Sequence, residues 1–252
     1  MILTVDIGNT ATKLSIFEGE RLVHSISGKG LGAEAVESML CYNTLRGAAY
    51  CCVGEDSYGI EAYLRQTGLP LVKLEADTPV PMEVTGYSRP QLGADRLAAA
   101  VGAFEPGCSA LVVDAGTALT ADLICRGALR GGNISPGLTL RFKSLHEFTS
   151  RLPLVDAKGS VPAFGHDTAT AIRSGVVLGI VAEIKASYQY AVRDVNYAGD
   201  GYKDKDITQL ILTGGDADLL EPWLVQEGLP VKVDHEAVGR GLVRIFNYNN
   251  RL

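Results

Sequence analysis

Ile2-Leu3-Thr4-Val5-Asp6-Ile7-Gly8-Asn9-Thr10 reads as a buried strand that runs into a polar turn, and Lys13-Leu14-Ser15-Ile16-Phe17 resumes the strand beyond it. Glu18-Gly19-Glu20 makes the next turn, so the stretch is a β-hairpin with Gly, Asn and Thr at its tip. The pattern returns 108 positions later (114 − 6): Leu111-Val112-Val113-Asp114-Ala115-Gly116-Thr117, then Thr120-Ala121-Asp122-Leu123-Ile124, then Gly127. At that offset Val5 matches Val113, Asp6 matches Asp114, Gly8 matches Gly116, Thr12 matches Thr120, Ile16 matches Ile124 and Gly19 matches Gly127. One match would mean little. Six within one hairpin indicate an internal duplication, hence two related lobes, residues 1–110 and 111–252, with Pro106-Gly107 breaking the helix before the boundary.

Around the hairpins the periodicity predicts helices over Ala33–Leu45, Glu61–Gly68, Gln91–Phe104 and from Asp167 to about Asp194. Gly175 and Gly179 thin one face of the last of these for close packing. Leu69–Leu74 and Leu210–Thr213 read as strands, and Cys51-Cys52 as a pair on a buried strand. Lys203-Asp204-Lys205-Asp206 reads as a solvated turn, and Trp223 as an anchor packing a helix onto the second lobe. Strands alternating with helices give an α/β class.

Composition narrows the function classes. The chain has 252 residues, 23 Lys+Arg against 29 Asp+Glu, and 46% hydrophobic residues, which excludes disordered and fibrous classes. A net charge of −6 gives no long-range attraction to nucleic acid or anionic lipid. Gly is in excess, 29 where a usual ~7% would give roughly 18, and without a collagen period the excess belongs to turns and close backbone approaches. Five cysteines with no CxxC pair fit buried thiols in a reducing compartment. Asp6, Asn9 and Lys13 interrupt the first apolar run too early for a signal peptide, and no apolar stretch approaches the ~18 residues of a membrane span. A cytoplasmic protein is expected.

Asp6-Ile7-Gly8-Asn9-Thr10-Ala11-Thr12-Lys13 has the parts of an anion site. The N–H groups of a tight turn converge on an anion, Gly8 permits close approach, Asn9 and Thr10 add hydrogen bonds, and Lys13 supplies charge. Asp6, at the strand end, is placed to hold Mg²⁺ or its waters. An ordinary hairpin turn with Asx chemistry would use the same residues. The repeat at Asp114-Ala115-Gly116-Thr117 favours the other reading, two turns gripping a polyphosphate across a cleft between the lobes. GxxxxGK[ST] and GxGxxG are both missing. Thr213-Gly214-Gly215-Asp216 is either a structural turn or bare backbone on which an adenine and ribose could lie.

Two DxG hairpins followed by a TGG turn resemble the superfamily of acetate and sugar kinases, heat-shock chaperones and actin. More closely, the sequence resembles the type III pantothenate kinases. That resemblance rests on Asp6–Thr10 with Lys13, Gly93-Ala94-Asp95-Arg96, Asp114–Ala118, Gly131-Gly132-Asn133-Ile134-Ser135-Pro136-Gly137, Leu152-Pro153, Thr168 with Ala171–Gly175, and Thr213–Asp216. It runs nearly end to end and implies two ribonuclease-H-like lobes with a nucleotide cleft between them.

The resemblance also implies roles. Asp95 would take the proton from the pantothenate hydroxyl as it attacks the ATP γ-phosphate, and Arg96 would hold substrate or neutralise charge. Otherwise the pair is a favourable first-turn Asp and a solvated Arg. Tyr87, Gly93, Ala94 and Thr168 would line the pantothenate pocket; Thr168 could equally be plain helix N-terminus. Residues 6–13 and Thr117 would bind ATP. Asp114 would bind a monovalent cation, K⁺ or NH₄⁺, rather than serve as a structural Asp at a strand end. A homodimer completing the pocket is implied, with the helix from Asp167 as its interface and the 131–137 stretch as a shaping loop nearby. Pantothenate and ATP are the expected partners, with no nucleic acid and no membrane.

Overall fold

Five of the six residues of β1 (Ile2–Ile7) are buried, so this strand lies inside a sheet covered on both faces. It pairs antiparallel with β2 (Thr12–Glu18), which pairs antiparallel with β3 (Arg21–Gly28). On its other side β1 pairs parallel with β4 (Gly47–Cys52), and β4 with β5 (Leu71–Lys73). Parallel neighbours need crossovers, supplied by α1 (Ala33–Leu40) and α2 (Ile60–Gln66). The sheet order is β3-β2-β1-β4-β5. Leu3, Val5, Leu14, Ile16, Val36, Met39, Tyr50 and Leu64 form its core. The two-residue strand β6 (Glu83–Val84) and α3 (Ala94–Ala103) follow.

The second sheet repeats the plan. β7 (Ser109–Ala115), β8 (Ala118–Cys125) and β9 (Ala128–Pro136) precede α4 (Leu138–Glu147) and α5 (Thr168–Tyr197). Then come β10 (Ile207–Thr213), α6 (Ala217–Gln226), β11 (Val231–Val233) and α7 (Ala237–Asn250). The order is β9-β8-β7-β10-β11, with β6 beside β9. Trp223 packs against the core of this unit as expected. The expected α/β class with two ribonuclease-H-like lobes is what the chain forms. This computed structural model describes residues 1–41, 44–56, 58–106, 108–197 and 207–250. Gly107 and the expected turn at Lys203–Asp206 lie outside the described residues.

The ladders refine the duplication. Asp6 pairs with Lys13 across the first hairpin, whereas Asp114 pairs with Thr120 across the second. The second tip is one residue shorter, so beyond it the equivalence slips by one and Thr120 stands where the first lobe has Lys13. The slip also explains Arg126, the sole non-glycine at positive φ among the described residues (φ 50°). Arg126-Gly127 is a two-residue connection with φ positive at both positions (50° and 81°), as a type I′ hairpin turn requires. Arg126, not Gly127, is the counterpart of Gly19.

The stretch 131–137, expected as a loop, is strand through Pro136, and Gly137 sits at the N-cap of α4. Its glycines suggested irregular backbone, but pairing beside β8 overrides their weak strand preference. Among the described residues nothing packs where side chains on Gly175 and Gly179 would be.

The chain packs as two compact units: residues 1–104, 127–130 and 236–252, and residues 105–126 and 131–235. These differ from a division at 110/111 because α7 returns to the first unit. A side chain at Gly102 would meet the carbonyl of Ala237, and one at Gly241 the carbonyl of Ala98, so α3 and α7 touch backbone to backbone. Arg244 of α7 adds hydrogen bonds to the carbonyls of Val101 (2.9 Å) and Phe104 (2.6 Å) and an ion pair with Glu20 (2.8 Å).

Candidate active site

In the first unit, the end of β1 gathers the chemistry. Asp6 is the residue of β1 that is not fully buried, at the point where the strand opens into the turn closed by the Gly8 N–H to Ala11 carbonyl hydrogen bond (3.0 Å). Ile7 is buried, whereas Asn9, Thr10 and Ala11 stand exposed at the tip and Thr12 returns to the interior. The parallel register sets Cys51 of β4 beside Asp6, and the Cys51 thiol donates to Asp6 Oδ1 at 3.4 Å. Burial raises the Asp6 pKa from 3.8 to about 6; the Cys51 bond and the Lys13 charge pull it down, and the Asp95 charge pushes it up. Burial, with the Asp6 charge beside it, pushes the Cys51 thiol well above the ordinary thiol range, so it stays protonated and can donate.

Gly93-Ala94-Asp95-Arg96 opens α3. The Asp95 carboxylate folds back to accept the Arg96 N–H (2.7 Å), and a side chain on Gly93 would lie 2.6 Å from Asp95 Oδ1. Glycine at 93 is therefore what lets the carboxylate take this position. Arg96 is buried, not solvated; its guanidinium lies over the Tyr87 ring (4.9 Å) and donates to the Tyr87 hydroxyl at 3.3 Å. Arg89 holds the preceding segment through the carbonyls of Ala76 (3.0 Å) and Thr78 (2.7 Å). Lys13, expected at phosphate, pairs with Glu236 just ahead of α7 (2.8 Å).

In the second unit, Asp114 ends β7 as Asp6 ends β1. A side chain at Gly214 (φ 93°) would meet the Asp114 carboxylate and the Ala115 backbone, while among the described residues nothing lies within 4 Å of the position a side chain on Gly215 would take. The TGG turn thus packs tightly on the Asp114 strand end and leaves bare backbone facing outward. Thr117 is exposed at the hairpin tip, and Gly137 docks there through its N–H to the Thr117 carbonyl (3.0 Å). Thr168 is exposed in the first turn of α5, which Asp167 caps by accepting the Thr170 N–H (2.8 Å).

The expected residues thus divide: Asp6–Lys13, Tyr87 and Gly93–Arg96 belong to the first unit, and Asp114, Thr117 and Thr168 to the second. Cys51 and Glu236 carried no motif; strand register brings Cys51 to Asp6, and the position of α7 brings Glu236 to Lys13. Among the described residues no cluster of three His, Cys, Asp or Glu side chains forms a metal cage. A single carboxylate oxygen donor fits Mg²⁺ that keeps its waters and leans on phosphates, and Asp114 offers the oxygen a monovalent cation needs.

A family model described as type III pantothenate kinase matches residues 2–190. Type III pantothenate kinases of Porphyromonas gingivalis (strain W83) and Phocaeicola vulgatus are 39% and 38% identical, covering 98% and 100% of this chain and of theirs. The fold matches the crystal structure described as a conserved Baf family transcriptional activator from Campylobacter jejuni (TM-score 0.65, 24% identity, 99% of this chain and 100% of that one). A DxG hairpin carrying Asp6, a GADR helix start and a TGG turn on Asp114, joined to similarity along the whole chain, lead to one conclusion: this chain belongs to the type III pantothenate kinase family.

Proposed function

We propose that the chain transfers the γ-phosphoryl group of ATP to the primary hydroxyl of pantothenate, with Asp95 as general base. The carrying observation is the similarity to type III pantothenate kinases along the whole chain, and the Asp95 that opens α3 lies in the same unit as Asp6, whose pKa its charge helps to raise. Asp95 takes the hydroxyl proton as that oxygen bonds to the γ-phosphorus. The bond from the γ-phosphorus to the bridging oxygen breaks, and the electron pair leaves with ADP. Such a transition state is loose, so positioning and charge contribute most and the base a smaller factor. The 6–13 turn and Thr117 hold the phosphates, Tyr87, Arg96 and Thr168 hold pantothenate, and the Thr213–Asp216 turn takes the adenosine. When bound, Mg²⁺ at Asp6 and K⁺ or NH₄⁺ at Asp114 neutralise phosphate charge.

The working form is proposed as a homodimer of cytoplasmic protein, and the duplicated lobes as residues 1–110 and 111–252. The open faces of Gly175 and Gly179, and the exposed Phe148 (84%) and Phe164 (85%), support an interface on the second unit. No helix among the described residues is long and apolar enough to cross a membrane.

The test is ATP-dependent phosphorylation of pantothenate with K⁺ or Na⁺ as the only monovalent cation, for wild type, Asp95→Asn and Asp114→Ala. Turnover that requires K⁺, and a K⁺ requirement lost in Asp114→Ala, are expected. Asp95→Asn should lower kcat by about 10²–10⁴-fold while ATP still binds. Near wild-type turnover in Asp95→Asn removes the base assignment, and no turnover from protein that binds ATP removes the acceptor.

A further inference from the structure

Cys51 is fully buried on β4, and Ala49, two residues back, fills the preceding position on the same face. If this strand needed only volume beside Asp6, another small apolar residue would serve. Instead the position carries an S–H group, and that group donates to Asp6 Oδ1 at 3.4 Å. The second lobe uses a comparable arrangement: β10 sets Thr213, a buried hydroxyl, in register with Asp114. In each lobe, then, the strand-end aspartate faces a small side chain with one polar hydrogen on the adjacent parallel strand. Lys13, the cross-strand partner of Asp6, directs its ammonium to Glu236.

We infer that Cys51 is a positioning residue for phosphoryl transfer: its thiol occupies Asp6 Oδ1, fixes the carboxylate plane, and leaves Oδ2 to Mg²⁺ or the waters around it. A carboxylate turns about its last bond over a broad, shallow profile, so one donor from a rigid buried strand decides which oxygen faces the metal. The inference rests on the proposed role of Asp6.

The test measures Mn²⁺ binding in the presence of ATP by electron paramagnetic resonance, beside a Mg²⁺ titration of turnover, in Cys51→Ala, Cys51→Ser and Asp6→Asn. Cys51→Ala should weaken Mn²⁺ binding and raise the half-saturating Mg²⁺ by about three- to tenfold, the worth of one ordinary hydrogen bond, as befits a weak thiol donor. Pantothenate KM should not move. Cys51→Ser, which restores a donor, should return both metal readouts close to wild type. Should Cys51→Ala fold poorly, Cys51→Val keeps the volume without the donor. Wild-type metal binding in Cys51→Ala alongside loss in Asp6→Asn overturns the inference alone. Equal impairment in the Ala and Ser variants assigns the effect to packing and also overturns it. Wild-type metal binding in Asp6→Asn overturns the reading of Asp6, and the inference with it.

Discussion

Asp6 is held at a cost in stability. Its pKa is about 6 in the folded chain against 3.8 unfolded, because burial penalises the anion more than Cys51 and Lys13 favour it. Between those values the folded state binds more protons than the unfolded, so stability falls as pH rises through the window and the full penalty is present above about pH 6. Asp6→Asn keeps an oxygen for the Cys51 thiol and removes the charge. It should stabilise the protein by about 1–3 kcal/mol at pH 8, and progressively less toward pH 4, in urea denaturation. An equal gain at both pH values would trace the effect to packing. A stabilising change that removes activity is the mark of a residue retained for chemistry.

At the scale of elements, the α3–α7 contact joins the proposed base to the rest of its unit. Asp95 begins α3, and the far side of that helix touches α7 through Gly102 and Gly241 with no side chains between. Glu236, one residue ahead of α7, reaches Lys13, so the same helix also sets the lysine. Gly241→Ala must push α7 off the Ala98 carbonyl and should destabilise by about 1–3 kcal/mol, the usual penalty of overpacking. Thermal and urea unfolding would report it, and unchanged stability would mean the two helices slide apart freely. The ATP KM should rise as well, since Glu236 moves with α7.

For the whole molecule, the outward faces of the second unit carry the expectation. Gly179 lies on α5 with nothing among the described residues within 4 Å of an added side chain, which leaves that position open to a partner. Sedimentation equilibrium should give twice the chain mass of 26.7 kDa. Gly179→Arg should weaken association by about tenfold or more, a loss of ~1.4 kcal/mol, and lower pantothenate turnover. A wild-type monomer at micromolar concentration would remove the dimer from the account.

The local sequence determined the two DxG hairpins, the helix start at Gly93–Arg96 and the TGG turn, because strand, turn and helix-start signals are carried by neighbouring residues. Those motifs in order were enough for the family. Tertiary structure decided what depends on register between distant strands. It shortened the second hairpin tip, putting Thr120 where the first lobe has Lys13 and forcing Arg126 to positive φ. It also turned the 131–137 stretch into strand, brought α7 back to the first unit, and set Cys51 against Asp6 and Glu236 against Lys13. The return of α7 and the Cys51 and Glu236 contacts leave no local trace, because their partners lie tens to hundreds of residues apart; the hairpin tip and the 131–137 strand turn on the register of neighbouring strands, which a local pattern does not fix.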